Sequence, residues 1–305
     1  SARSVVTWGE NSLGGNSDNI TLTNVKKIVS NDGGFAALKH DGSVVSWGLE
    51  TASDNVKNLL TDITEIYSSD YAFAALKKDG SVITWGSTDH GGDSSSVTLN
   101  DVTGIYATTS AFAALQSNGS VVTWGNANRG GNSSDLTLEN VKDIYTTNTA
   151  FAALNTNGSV IIWGDDFSNN NALTIDNVNA VFSNPFAFAF LTTANTIETW
   201  GDINYGGSSG DIPLNDTAKV FSTHTAFAAL KTDGSVATWG DNKNGGDSSN
   251  VTLNDITTIY ANAFAFAALT TESSVITWGA STRGGDSSAV DLTNIAAVYS
   301  TIDAF

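Results

Sequence analysis

Three histidines, His40, His90 and His224, are the only imidazoles in this 305-residue chain, and it contains no cysteine and no methionine. General acid–base work needs a titratable group paired with a partner, and none of the three sits in a repeated or paired sequence context. His40 falls in a hairpin turn. No Ser, His and acid grouping emerges, and no spacing suits a tetrahedral metal. The paired carboxylates Asp165-Asp166 lie in a loop with no apolar surroundings to tune them. A recurring Gly91-Gly-Asp93-Ser-Ser, with Asn16, Asn132, Asp247 and Asp286 at matching places, offers oxygen ligands for a hard cation. One carboxylate per unit does not converge on a single ion, however, and Asp before Ser caps turns through its own backbone hydrogen bonds. No catalytic residue, no metal site and no cofactor are expected, and the protein is read as not an enzyme.

What the sequence repeats is structural. Trp-Gly recurs at Trp8, Trp47, Trp85, Trp124, Trp163, Trp200, Trp239 and Trp278, 37 to 39 residues apart. Phe35, Phe73, Phe112, Phe151, Phe188, Phe227 and Phe266 each precede the next Trp by twelve residues, and Phe305 is the eighth of the series. Within a unit, Phe112-Ala-Ala-Leu-Gln and Ser120-Val-Val-Thr-Trp read as strands joined by Asn118-Gly119, a pair suited to a tight hairpin. Asp41-Gly42, Asp79-Gly80, Asn157-Gly158 and Asp233-Gly234 repeat that turn. A third strand is expected at Asp101-Val-Thr-Gly-Ile-Tyr106 and its equivalents.

A sheet of this size cannot bury both faces alone, so the units must stack. Radial closure removes exposed edges, whereas an open array needs polar capping units, and none is visible. The chain starts within one unit, at Ser4-Val-Val-Thr-Trp8, and ends within another, at Val298-Tyr-Ser-Thr-Ile-Asp-Ala-Phe305. These fragments complement each other. The expectation is an all-β fold, one closed β-propeller domain over residues 1–305. It has eight blades of three or four antiparallel strands, the eighth shared by the two termini.

The run of Val-Val-Thr-Trp-Gly, a Gly-rich loop, an apolar strand, Phe-Ala-Ala-Leu-Lys and Asp-Gly resembles the regulator-of-chromosome-condensation repeat family along the whole chain. It looks most like the short-repeat branch that includes a propeller-type inhibitor of β-lactamases. The resemblance implies the propeller architecture. The family is usually seven-bladed, whereas the repeats here count eight. The chromatin binding and nucleotide exchange of the founding branch are not carried over, because this chain lacks their loops and charge.

Thirty-one acidic residues against thirteen basic ones give a formal charge of −18. That balance opposes nucleic acid and anionic lipid surfaces, and no run approaches the length needed to span a membrane. The start at Ser1 and the absence of methionine suggest a processed product or a segment of something larger.

Against so uniform a background, two loop sets vary. Just before each Ala-Phe or Gly-Phe stand Gly33, Tyr71, Ser110, Thr149, Phe186, Thr225, Phe264 and Asp303. They are preceded by Asp32, Asp70, Thr109, Asn148, Pro185, His224, Ala263 and Ile302. The second set follows Trp-Gly and includes His90, Arg129, Tyr205, Asn244 and Arg283. The units beginning at Trp47 and Trp163 lack the Gly-Gly that ends this loop elsewhere, which breaks the symmetry. Large aromatic groups where other copies carry Ser or Thr are the usual anchors of a binding surface. The candidate ligand-binding residues are Tyr71, Phe186, Phe264, Asp70, His224, Asp303, Tyr205 and Arg129, placed around one channel mouth. The alternative at each ring is that it covers an alanine or plugs the channel.

Three functional readings follow. The first is a monomeric recognition module for a protein or glycan, extracellular or at a cell surface. The second is a protein inhibitor of an enzyme, and the third a purely structural bead in a repeat-rich protein.

Overall fold

A computed structural model describes residues 5–164 and 173–305 of the chain. Asp165-Asp166 and Ser4 lie outside the described residues. The chain groups into two compact units, one formed by Ser1–Thr156 with Val160–Thr174 and the other by Asn157–Ser159 with Ile175–Phe305. Each is a succession of small antiparallel sheets, four in the first unit and three in the second.

One sheet shows how the repeat folds. Val102–Ala107, Ala111–Gln116 and Val121–Gly125 pair in sequence order. The first strand starts one residue later than expected because Asp101 adopts φ +51°, a left-handed conformation that Asp and Asn tolerate. Asn24, Asp62, Asn140, Asn177, Asp216 and Asp255 do the same ahead of the other first strands. A register shift between Val102 and Gly104 recurs in all seven sheets and bends the first strand. Phe112 faces Trp124 across the hairpin, with ring centroids 5.2 Å apart. Seven such Phe–Trp pairs occur, one per sheet.

The core lies between sheets, as stacking requires. Ala72, Ala74 and Leu76 of one middle strand pack against Val102, Ile105, Phe112 and Trp124 of the next sheet. The alanines are fully buried, packed against the aromatic pair of the next sheet. Burying each such Phe contributes about 2–3 kcal/mol.

The Gly-Gly after Trp-Gly has a steric reason. Gly91, at φ +92°, closes the turn, and a Cβ there would come within 2.6 Å of the Phe112 ring. A Cβ on Gly92 would come within 2.3 Å of the Gly86 carbonyl oxygen. The Gly91 carbonyl then accepts the indole N–H of Trp124 at 2.9 Å, so one loop clamps the next sheet's aromatic pair. Trp47, Trp163, Trp239 and Trp278 donate in the same way to Gly14, Gly130, Gly206 and Gly245. After Trp47 a short helix, Asp54–Lys57, replaces the Gly-Gly. The buried indole N–H of Trp85 consequently has no partner among the described residues.

The terminal segments differ from the expectation. Residues 5–8 and 295–305 carry no strand, and Trp8 is 85% exposed where Trp47, Trp124 and Trp163 are buried. In the first unit Ile28 is 38% exposed, although its counterparts Ile66, Ile105 and Ile144 are buried. In the second unit Tyr299 is 84% exposed. Leu173–Ile175 adds a fourth strand beside Val160–Gly164. No described helix is long and apolar enough to cross a membrane.

Candidate functional site

In six repeats a buried polar residue, Ser69, Thr108, Thr147, Asn184, Thr223 or Asn262, stands in the loop before the middle strand. The oxygen of Thr108 accepts the backbone N–H of Ala111, and that of Thr223 accepts the N–H of Ala226, both at 3.0 Å. Asn184 and Asn262 go further. Each side-chain oxygen accepts two successive N–H groups, of Phe186 and Ala187 and of Phe264 and Ala265.

The same side chains also reach outward. Ser69 donates to the carbonyl of His90 at 2.8 Å, Thr108 to Arg129 at 3.0 Å and Asn184 to Tyr205 at 2.8 Å. Thr223 donates to Asn244 at 3.0 Å and Asn262 to Arg283 at 2.8 Å. The accepting residues end the short 3₁₀ turns Thr88–His90, Ala127–Arg129, Ile203–Tyr205, Asn242–Asn244 and Ser281–Arg283. In these five repeats one buried hydrogen-bonding group thus holds the two variable loops side by side.

Their side chains meet accordingly. Tyr71 stands edge-on to His90 at 5.0 Å, and Phe186 lies tilted on Tyr205 at 4.7 Å. Arg283 sits over the Phe264 ring at 4.2 Å, and Asn244 donates to Thr225 at 3.1 Å. Each pair is nineteen residues apart. An aromatic ring in one loop meets an aromatic or cationic group in the other, and a hydroxyl meets an amide. The rings of Tyr71, Phe186 and Phe264 are half-buried against these loop tips.

The remaining candidates occupy the same loops. Asp303 is exposed and ion-paired with Arg283, and His224 is exposed. Arg129 ends its turn, its carbonyl held by Thr108. Asp70 carries a carboxyl raised above its usual pKa, chiefly by partial burial and further by the neighbouring charge of Asp32. Backbone bonds link these loops from repeat to repeat. Asp32 donates to Asp70, Asp70 to Thr109 and Thr109 to Asn148 in the first unit, and His224 to Ala263 and Ala263 to Ile302 in the second. Pro185 interrupts the series because it has no N–H to give.

The loop side chains bond mainly to one another and to their own backbone. Oδ1 of Asp93, Asp247 and Asp286 accepts the N–H two residues on, at 2.8, 2.8 and 2.9 Å, which is the turn-capping role. His90 Nδ1 lies 3.0 Å from Ser87 Oγ, within its own turn. Among the described residues no three His, Cys, Asp or Glu side chains gather as a metal site would need.

No family model and no curated protein matches the sequence. Among solved structures the chain is similar to the yeast RCC1 protein Prp20 in complex with Kap60. Identity there is 13%, over 89% of this chain and 74% of that one, with a TM-score of 0.45. It is similar to Prp20p from Saccharomyces cerevisiae at 15% identity, over 88% and 75%, with a TM-score of 0.44. It is also similar to the CRINKLY WD40 ectodomain of the Arabidopsis thaliana receptor kinase ACR4 at 15% identity, over 71% and 85%, with a TM-score of 0.44.

Proposed function

We propose that this chain is a non-enzymatic recognition module, working outside a cell or at its surface, that presents its paired loops to a protein or glycan. One observation carries the reading. On an otherwise uniform scaffold, three repeats place an aromatic ring against an aromatic or cationic tip, at Tyr71 with His90, Phe186 with Tyr205 and Phe264 with Arg283. Rings preorganised in this way lose little entropy on binding.

The same proposal takes the repeats as one eight-bladed ring, closed where the terminal segments complete the last blade, with the loop pairs around one mouth. Closure would cover Trp8, Ile28 and Tyr299, which are exposed although their positions are buried or half-buried in other repeats.

The test immobilises the full chain beside a Tyr71→Ser, Phe186→Ser, Phe264→Ser variant, over a glycan array and proteins of the surrounding medium. Capture lost in the folded variant is the expected result; equal capture would remove the three rings as anchors, and absent capture would favour the structural-bead reading. A second reading, an inhibitor that caps an enzyme's active site, rests on the same half-buried aromatic rings. Undiminished hydrolysis in a chromogenic β-lactam assay removes β-lactamases as its target.

A further inference from the structure

The repeats themselves show which side chain is out of place. At the first position of the 3₁₀ turn, five loops carry Asn11, Thr88, Ala127, Asn242 or Ser281, and the sixth carries Ile203. Ile203 is 71% exposed. A β-branched aliphatic group held in water, on a turn that elsewhere takes small or polar residues, gains nothing from its own fold. It does gain from being covered.

Ile203 and Tyr205 form one wall of an open cleft of about 560 Å³ whose other wall is Asp241, Asn242 and Lys243. Tyr205 is held in position from behind by the Phe186 ring. Asp202 caps its turn through Oδ1, accepting from Asn204 at 2.8 Å, while Asp241 accepts from Lys243 through Oδ1 at 3.0 Å and from the Asn244 amide through Oδ2 at 2.7 Å. Residues 175–305 are strongly anionic, with thirteen carboxylate side chains against four Lys and Arg, and the cleft lining itself holds Asp241 and Lys243.

We propose that this cleft docks an extended protein segment with one apolar anchor flanked by basic residues. The anchor covers Ile203 and the free side of Tyr205, and the cations face Asp202 and Asp241. A saccharide fits the cleft less well, because Ile203 offers no flat face to a sugar ring and Tyr205 has already given one face to Phe186. The proposal rests on the recognition reading above and names the partner chemistry of one loop pair.

The experiment pans a random twelve-residue displayed peptide library on the full chain at low salt, then measures the enriched peptides by fluorescence anisotropy. The controls are Ile203→Ser and a Tyr71→Ser, Phe264→Ser variant, with thermal unfolding checked for each. The expected enrichment is Leu, Ile, Phe or Trp between Lys and Arg. Binding should weaken about tenfold or more in Ile203→Ser, and likewise on raising salt. Three results overturn the proposal: no enrichment, enriched peptides without basic residues, or affinity unchanged by Ile203→Ser. Peptides lost only in the Tyr71→Ser, Phe264→Ser variant would remove the cleft and keep the loop-face reading. Glycan capture abolished by Ile203→Ser would assign the cleft to a saccharide instead.

Discussion

At the residue scale, the indoles of Trp47, Trp124, Trp163, Trp239 and Trp278 do two jobs, stacking on Phe and clamping the preceding loop, and Trp85 does only the first. Its N–H is buried without a partner, whereas that of Trp124 satisfies the Gly91 carbonyl. Replacing Trp124 by Phe therefore loses a hydrogen bond and strands a buried acceptor, while Trp85→Phe removes an unsatisfied donor. Denaturant unfolding should show Trp124→Phe costing about 1–2 kcal/mol more than Trp85→Phe. Equal losses would mean that packing alone sets the role of these indoles.

The hairpin aspartates make a second residue-scale prediction. Asp41, Asp79 and Asp233 each accept a bond from a Ser hydroxyl and another from that residue's N–H, and both hold the carboxyl below its ordinary pKa. A group whose folded pKa is depressed stabilises the fold above the unfolded pKa, and this stability is lost as pH falls through the folded value. Asn157 holds the same turn without titrating. In an Asp41→Asn, Asp79→Asn, Asp233→Asn variant, the unfolding midpoint should fall less steeply than wild type below about pH 4. Parallel curves would contradict the assignment.

At the scale of the element, the sequence exposes strands better than it exposes what joins them. Phe112–Gln116 and Val121–Trp124 are legible because hairpin turn, alternation and spacing agree, and the structure pairs them. The first strand shifts by one residue because Asp101 reads as polar strand edge while its backbone is left-handed. The strand Leu173–Ile175 is three residues long, too short to carry a pattern. The two variable loop sets are visible in the sequence, but their contact is not. The constant nineteen-residue offset was its signal, and the buried Ser69, Thr108, Asn184, Thr223 and Asn262 that join them look like ordinary turn residues.

The Gly-Gly is where an element fails most sharply. Gly91→Ala puts a Cβ into the Phe112 ring from a left-handed backbone, so the turn and the next sheet's aromatic pair must both move. The expected cost is about 2–4 kcal/mol by denaturant titration. Gly210 has φ +54°, but a Cβ added there would meet no atom within 4 Å, so Gly210→Ala should cost only the backbone term, about 1–2 kcal/mol. Equal costs would remove the steric account of the clamp.

At the scale of the whole molecule, counting Trp-Gly motifs yields eight repeats, while the described residues form seven sheets and two unpaired terminal segments. Local patterning reveals a repeat, because each sheet is made from neighbouring residues. Ring closure depends instead on contacts between residues at opposite ends of the chain, and no local pattern encodes them. The recognition account needs that closure, because only a ring brings the loop pairs of all the repeats around one mouth. Small-angle X-ray scattering of the full chain at several concentrations tests it most directly. A closed ring predicts a compact monomer with a radius of gyration of about 19 Å, independent of concentration. A markedly larger radius with an elongated distance distribution would describe an open array of the same mass and contradict the ring.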